Sequence, residues 1–183
     1  MTGGAGDDIL ISYDGNDTLD GAAGADSIRA GAGDDQINLS DMPEFGERID
    51  GGEGRDALSI QTLGSINTML ANLDLTGIEV LDVNNGLDDI FTLTFDEIAG
   101  FSDTSDEELE TLLGSALANG HTIYGNENDI LTLNAAGAYD IVDGGEISGT
   151  NLHIYTFTQG GNALATLGVD SDIDVIVENT VTA

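Results

Sequence analysis

The sequence predicts an all-β protein: a parallel β-solenoid over residues 1–59, then a β-rich region over 60–183 carrying one or two helices. Three observations predict it. A nine-residue beat occupies the N-terminal part. Short alternating or apolar runs, separated by Gly, Asn and Asp clusters, fill most of the rest. One segment has a clear helical period.

The beat starts at Gly3. GGAGDDILI, SYDGNDTLD, GAAGADSIR and AGAGDDQIN fill residues 3–38 without a gap, and GGEGRDALS follows at 51–59. Place four is always glycine: Gly6, Gly15, Gly24, Gly33 and Gly54. Place six is always aspartate: Asp8, Asp17, Asp26, Asp35 and Asp56. Place eight is always Leu or Ile: Leu10, Leu19, Ile28, Ile37 and Leu58. Such self-similarity is the mark of a stacked-repeat architecture.

The three residues around place eight make a very short strand with one inward side chain. The other six must turn the chain, and glycines at places one, two and four allow positive φ and close backbone approach. Two nine-residue units then make one coil of 18 residues, with units one and three stacked on one side and two and four on the other. Residues 39–50, LSDMPEFGERID, interrupt the beat and hold the single proline, Pro43. Residues 39–41 read as an insertion and 42–50 as a degenerate unit ending on Ile49 and Asp50.

After residue 59 the beat stops. ALSIQTL, GIEVLDV, DIFTLTF, HTIYG, DILTL, LHIYTFT and DIDVIV read as strands. Ser105 to Asn119 reads as a helix, because Leu109, Leu112, Leu113, Ala116 and Leu117 share one face. Ser105 with Glu108 makes a capping box, and Gly120 can close the helix. Shorter helices are expected at 95–101 and near 66–73.

Composition narrows the partners. The chain has 35 acidic residues against Arg29, Arg48 and Arg55, for a net charge of −32. Nucleic acid and anionic membranes both require a basic footprint, so neither is expected. No run approaches the ~20 apolar residues of a membrane span, and MTGGAGDDIL lacks the basic and apolar stretches of a signal peptide. There is no cysteine, hence no disulfide and no thiolate metal site. So much carboxylate suits a hard cation with oxygen ligands, or simply a solvated acidic surface.

The repeat chemistry favours the cation. Stacked turns lie about 4.8 Å apart, which sets Asp8 over Asp26 and Asp17 over Asp35. Bare carboxylates at that spacing repel. A Ca²⁺ ion about 2.3–2.6 Å from each oxygen fits between them, with backbone carbonyls of the glycine-rich turn completing its shell. Mg²⁺ demands a smaller octahedral site and keeps its waters.

These residues resemble the nonapeptide repeats of RTX (repeats-in-toxin) proteins, which form a calcium-binding parallel β-roll. GIEVLDVNNGLDDIFTLTFDEI, IYGNENDILTL and NLHIYTFTQGGNALATLGVDSDIDVIV resemble the C-terminal type I secretion target region of large RTX adhesins. The resemblance implies a division into a β-roll at 1–59 and a secretion target region at 60–183. It implies Ca²⁺ as cofactor, with Asp8, Asp17, Asp26, Asp35 and Asp56 as ligands and the first- and fourth-place glycines Gly3, Gly6, Gly15, Gly21, Gly24, Gly33, Gly51 and Gly54 offering carbonyls. It further implies export by a type I exporter to the outside or surface of a bacterial cell, without an N-terminal signal peptide, and a monomer folding on external calcium.

This sequence departs from the repeat at Ser12, Tyr13 and Ala30, where glycines are expected, and the turn at Tyr13 should be distorted. GNENDILTL, 125–133, resembles a further degenerate unit, with Asp129 in place six and Glu127 in place four. An enzyme is not expected, since the chain has neither HExxH nor GxSxG and His121 and His153 are isolated in sequence. Two alternatives stay open: the C-terminal module of a secreted hydrolase, and a calcium-dependent adhesive module that binds a ligand. Places seven and nine carry no rows of Thr or Asn, which argues against an ice-binding face.

Overall fold

The computed structural model describes residues 1–41, 45–61, 70, 73–101, 106–114, 117, 120–135 and 139–178. Within the first 60 residues the strands are β1 (Thr2–Ala5), β2 (Ile9–Ile11), β3 (Thr18–Ala23), β4 (Ser27–Ala32), β5 (Gln36–Leu39), β6 (Arg48–Glu53) and β7 (Ala57–Ile60). They alternate between two parallel sheets. Odd strands pair β1-β3-β5-β7 and even strands pair β2-β4-β6.

The register equates place eight with place eight: Leu10 with Ile28, Leu19 with Ile37, and Ile37 with Leu58. All of these side chains are buried between the sheets. Ile28 also pairs with Ile49, so 42–50 does occupy a repeat position, and the unit at 51–59 stacks on the fourth unit. Place six of the degenerate unit is therefore Glu47, buried beside Asp26.

The coiling continues beyond residue 60 with altered turn lengths. β8 (Asp74–Thr76) adds to the even sheet, and β9 (Val80–Asp82) adds to the odd one. β10 (Ile90–Thr94), β12 (Ile130–Asn134) and β16 (Asp174–Glu178) form a third parallel sheet. β11 (Gly120–Tyr124) pairs with β9 and with β15 (Asn162–Asp170). β15 is the last arm of an antiparallel meander with β13 (Asp140–Glu146) and β14 (Leu152–Gln159), so the odd sheet has nine strands. One apolar cluster runs from Leu10 to Ile173 without a break. The protein is thus β-rich with parallel and mixed sheets.

Helix α1 (Phe95–Phe101) matches the expected 95–101 segment and buries Ile98 and Phe101. Helix α2 is shorter than expected, Glu107–Leu113. Gly114 ends it in the left-handed conformation, returning its N–H to the Glu110 carbonyl. Asp106 caps its start by accepting from the Glu108 and Leu109 amides. Gly120 closes no helix; it opens β11, and its carbonyl accepts from the Asp106 amide. The expected capping residue Ser105 and most of the 66–73 segment lie outside the described residues.

The glycines divide by task. Place four has φ of +98°, +112°, +132°, +131° and +127° at Gly6, Gly15, Gly24, Gly33 and Gly54, as a turn in that region requires. First-place glycines do not share this, which corrects the expectation of positive φ there. Gly3, Gly21 and Gly51 instead lack a side chain because a Cβ would collide with the next turn or with the place-six carboxylate. At Tyr13 the chain adapts by ending β2 at Ile11, leaving a lone bridge from Asp14 to Ala32, with the ring exposed to solvent.

Candidate metal centre

Place six forms two columns of acids, one on each side of the coil. Asp8, Asp26 and Glu47 line one side; Asp17, Asp35, Asp56 and Glu79 line the other. The carboxylates do not simply face each other. Asp26, Asp35 and Asp56 each reach one turn back and accept a backbone amide. Asp26 Oδ1 takes the Asp8 N–H at 2.8 Å, Asp35 Oδ1 that of Asp17 at 2.7 Å, and Asp56 Oδ1 that of Asp35 at 2.8 Å.

Place five answers in the opposite direction, a feature the sequence reading did not anticipate. Asp7 accepts from the Ala25 amide, Asn16 from that of Asp34, and Asp34 from that of Arg55. Adjacent turns are thus clamped reciprocally. An acceptor side chain recurring at place five (Asp7, Asn16 and Asp34) was the available clue.

This leaves the second oxygens. Oδ2 of Asp26, Asp35 and Asp56 is buried and has no hydrogen-bond partner among the described residues. An unpaired buried charge of this kind costs several kcal/mol unless something neutralises it. Burial is the main reason the Asp26 and Asp35 carboxyls are pushed above the usual range. The Asp8 and Asp17 amides work against the shift, and neighbouring acids add to it. Asp56, with no exposed surface, is pushed up to about 7 by burial, with the Asp35 amide opposing and Glu79, Asp35 and Asp34 reinforcing.

The surroundings supply oxygen and space. A Cβ on Gly3 would stand 2.6 Å from the Gly21 carbonyl oxygen and 2.8 Å from Asp8 Oδ2, and a Cβ on Gly21 would stand 2.2 Å from Asp26 Oδ2. Carboxylate and carbonyl oxygens therefore converge where side chains are missing. Among the described residues no three acidic or histidine side chains gather at one point. A cation here would rely on backbone carbonyls, which suits a hard ion. The donor set contains oxygen only and fits Ca²⁺.

Not every expected position is alike. At Asp17 the second oxygen accepts from the Ser12 hydroxyl, so the residue that replaces a first-place glycine fills the position. The 125–133 segment has the same backbone clamp, Asp89 N–H to Asp129 Oδ1 at 2.9 Å. There Asp129 Oδ2 takes the Asn126 amide and Asp89 Oδ2 the Asn85 side chain. Protein donors meet three of that rung's four carboxylate oxygens, and among the described residues neither acid has a buried oxygen left without a partner. The gathering of Asp89 with Asp129 was not foreseen.

Elsewhere, Arg55 joins the repeat to the later strands. Its guanidinium binds the fully buried Asp106 at 2.8 and 3.2 Å and Glu108 at 3.1 Å, while Thr122 Oγ1 donates to Asp106. Burial opposes the Asp106 charge, but Arg55, Thr122 and the Leu109 amide outweigh it and hold its carboxyl below the usual range.

Comparison with known proteins agrees with this geometry. No curated protein and no solved structure matches the chain. Residues 1–39 match the family model of the RTX calcium-binding nonapeptide repeat, in four copies. The N-terminal segment of this protein thus carries RTX calcium-binding nonapeptide repeats.

Proposed function

We propose that residues 1–59 form a calcium-dependent β-roll and that 60–183 act as the C-terminal target region of a type I secreted RTX adhesin, nucleating folding outside the cell. The observation that carries this reading is the set of buried, unpartnered Oδ2 atoms of Asp26, Asp35 and Asp56 inside a segment that matches RTX repeats. Without a cation these carboxylates oppose folding; with one, binding free energy becomes folding free energy. Cells keep calcium low, and a net charge of −32 then holds the chain apart by self-repulsion. Outside, calcium at the ~10⁻⁴–10⁻³ M typical of extracellular modules would close the turns. The chain acts as a folding and export module, and the reading includes no catalytic role.

Export separates the two halves of the proposal. Deleting 168–183 should abolish secretion of a fused passenger by a host with a type I exporter. Changing Asp8, Asp17, Asp26 and Asp35 together to Ala should leave passage through the exporter intact but give a secreted product that stays protease-sensitive in millimolar calcium. Normal export of the truncation would overturn the secretion assignment and leave the metal assignment standing.

A further inference from the structure

The acid column on the Asp17 side does not end with the nonapeptide repeats. β7 pairs in parallel with β9, Ala57 against Val80 and Leu58 against Leu81, so Glu79 occupies the rung after Asp56. It repeats the clamp of the earlier rungs: Glu79 Oε2 accepts the Asp56 N–H at 2.9 Å. The turn differs. Six residues, 51–56, separate Asp50 from Ala57, whereas Gly77, Ile78 and Glu79 alone separate their ladder partners Thr76 and Val80. Gly77 adopts φ +63° and packs against Gly52.

Two oxygens converge on this corner. A Cβ on Gly51 would stand 2.0 Å from the Gly77 carbonyl oxygen and 2.6 Å from Asp56 Oδ2. The same pairing of carbonyl and carboxylate occurs over Gly3, inside the segment that matches RTX repeats. Asp56 Oδ2 has no hydrogen-bond partner among the described residues, and Asp56 and Glu79 are 0% and 1% exposed. The adjacent Arg55 is committed to Asp106 and Glu108. Sequence gives little warning, since Glu79 sits in GIEVLDV, where the nine-residue spacing has been lost.

We infer that a divalent, oxygen-seeking cation binds at this corner, between Asp56 Oδ2 and the Gly77 carbonyl, with Glu79 supplying the second acidic side chain. The inference rests on the calcium reading of the repeats, and gives the ion at Asp56 a carbonyl and a second acidic ligand from outside them. The site joins the last nonapeptide to the first later strand, so calcium there would lock the repeat onto β9. The Asp89–Asp129 rung marks the contrast, since asparagines donate to both of its carboxylates.

The test counts calcium ions on the intact chain by native mass spectrometry at saturating Ca²⁺. Glu79→Gln keeps an oxygen for the Asp56 amide and removes the charge. It should hold one calcium fewer than the wild type, and Asp26→Asn should lose calcium at its own rung. An unchanged count in Glu79→Gln alongside a reduced count in Asp26→Asn would overturn this inference alone. A wild type that binds none would overturn the repeat reading itself. If Glu79→Gln fails to fold, carboxyl ¹³C shifts of the wild type decide. Asp56 Cγ and Glu79 Cδ should both move on adding Ca²⁺ and stay still with Mg²⁺; movement of Asp56 without Glu79 would count against the site.

Discussion

Replacing Arg55 by Met should destabilise the calcium-loaded protein by about 3–5 kcal/mol, the usual cost of removing one partner from a buried ion pair. Arg55 is the cation that meets Asp106, which has no exposed surface and also caps α2. Methionine keeps the apolar stem and removes the guanidinium, leaving Asp106 to the Thr122 hydroxyl and the helix amides. Changing both partners, Arg55→Met with Asp106→Leu, should recover part of the loss, because no unpaired charge then remains buried. Denaturant unfolding of the single and double variants measures this. A loss under ~1 kcal/mol in Arg55→Met would mean that the pair does not hold the repeat to α2 and β11.

The calcium-free protein should lose stability as pH rises from 6.5 to 8. The sign follows from linkage. Asp56 titrates near 7 in the folded chain against 3.8 for an ordinary aspartate, so across this window the folded state holds a proton that the unfolded state has already released. Folding therefore weakens as Asp56 ionises, by about 1 kcal/mol over that interval, or roughly 2–4 °C in melting temperature. Asp26 and Asp35 are shifted the same way. His121 works the other way at the low end of the window: burial holds it below its ordinary value of 6.5, so the unfolded chain is part-protonated there and folding gains from this group as pH rises, and the Asp56→Asn control separates the two. Calcium should reverse the slope, because its ligands must be deprotonated to bind. Thermal melts in calcium-stripped buffer, with Asp56→Asn as the control, decide the matter. A calcium-free protein at least as stable at pH 8 as at pH 6.5 would contradict the assignment of Asp56 as a buried, unneutralised acid.

The repeat was legible because its chemistry is periodic. Gly, Asp and Leu or Ile at fixed places specify turn, acid column and core, and the strand register follows them residue by residue. Even Ile49, in a unit with no fourth-place glycine, lands on Ile28. What escaped was set by partners distant in sequence. Glu79 lies 23 residues from Asp56, and Asp129 lies 40 from Asp89, because insertions of uneven length separate coils that are neighbours in space. The direction of the carboxylates was also hidden. Spacing placed Asp8 beside Asp26, but only coordinates show that Asp26 spends one oxygen on the Asp8 amide and keeps the other bare. The end of α2 was misjudged for a local reason: leucine spacing continues past Gly114, and the glycine outweighs it.

Amide hydrogen exchange of the intact chain, with calcium and without it, tests the central claim most directly. The Asp8, Asp17 and Asp35 amides are clamped by the place-six carboxylates that calcium would neutralise. With millimolar Ca²⁺ these amides and those of β2 to β7 should be protected together. In calcium-stripped buffer, or with Mg²⁺ alone, the turns should open readily and this protection should fall sharply. Equal protection of residues 3–59 in both conditions would show that the turns close without metal, and would contradict a calcium-dependent repeat.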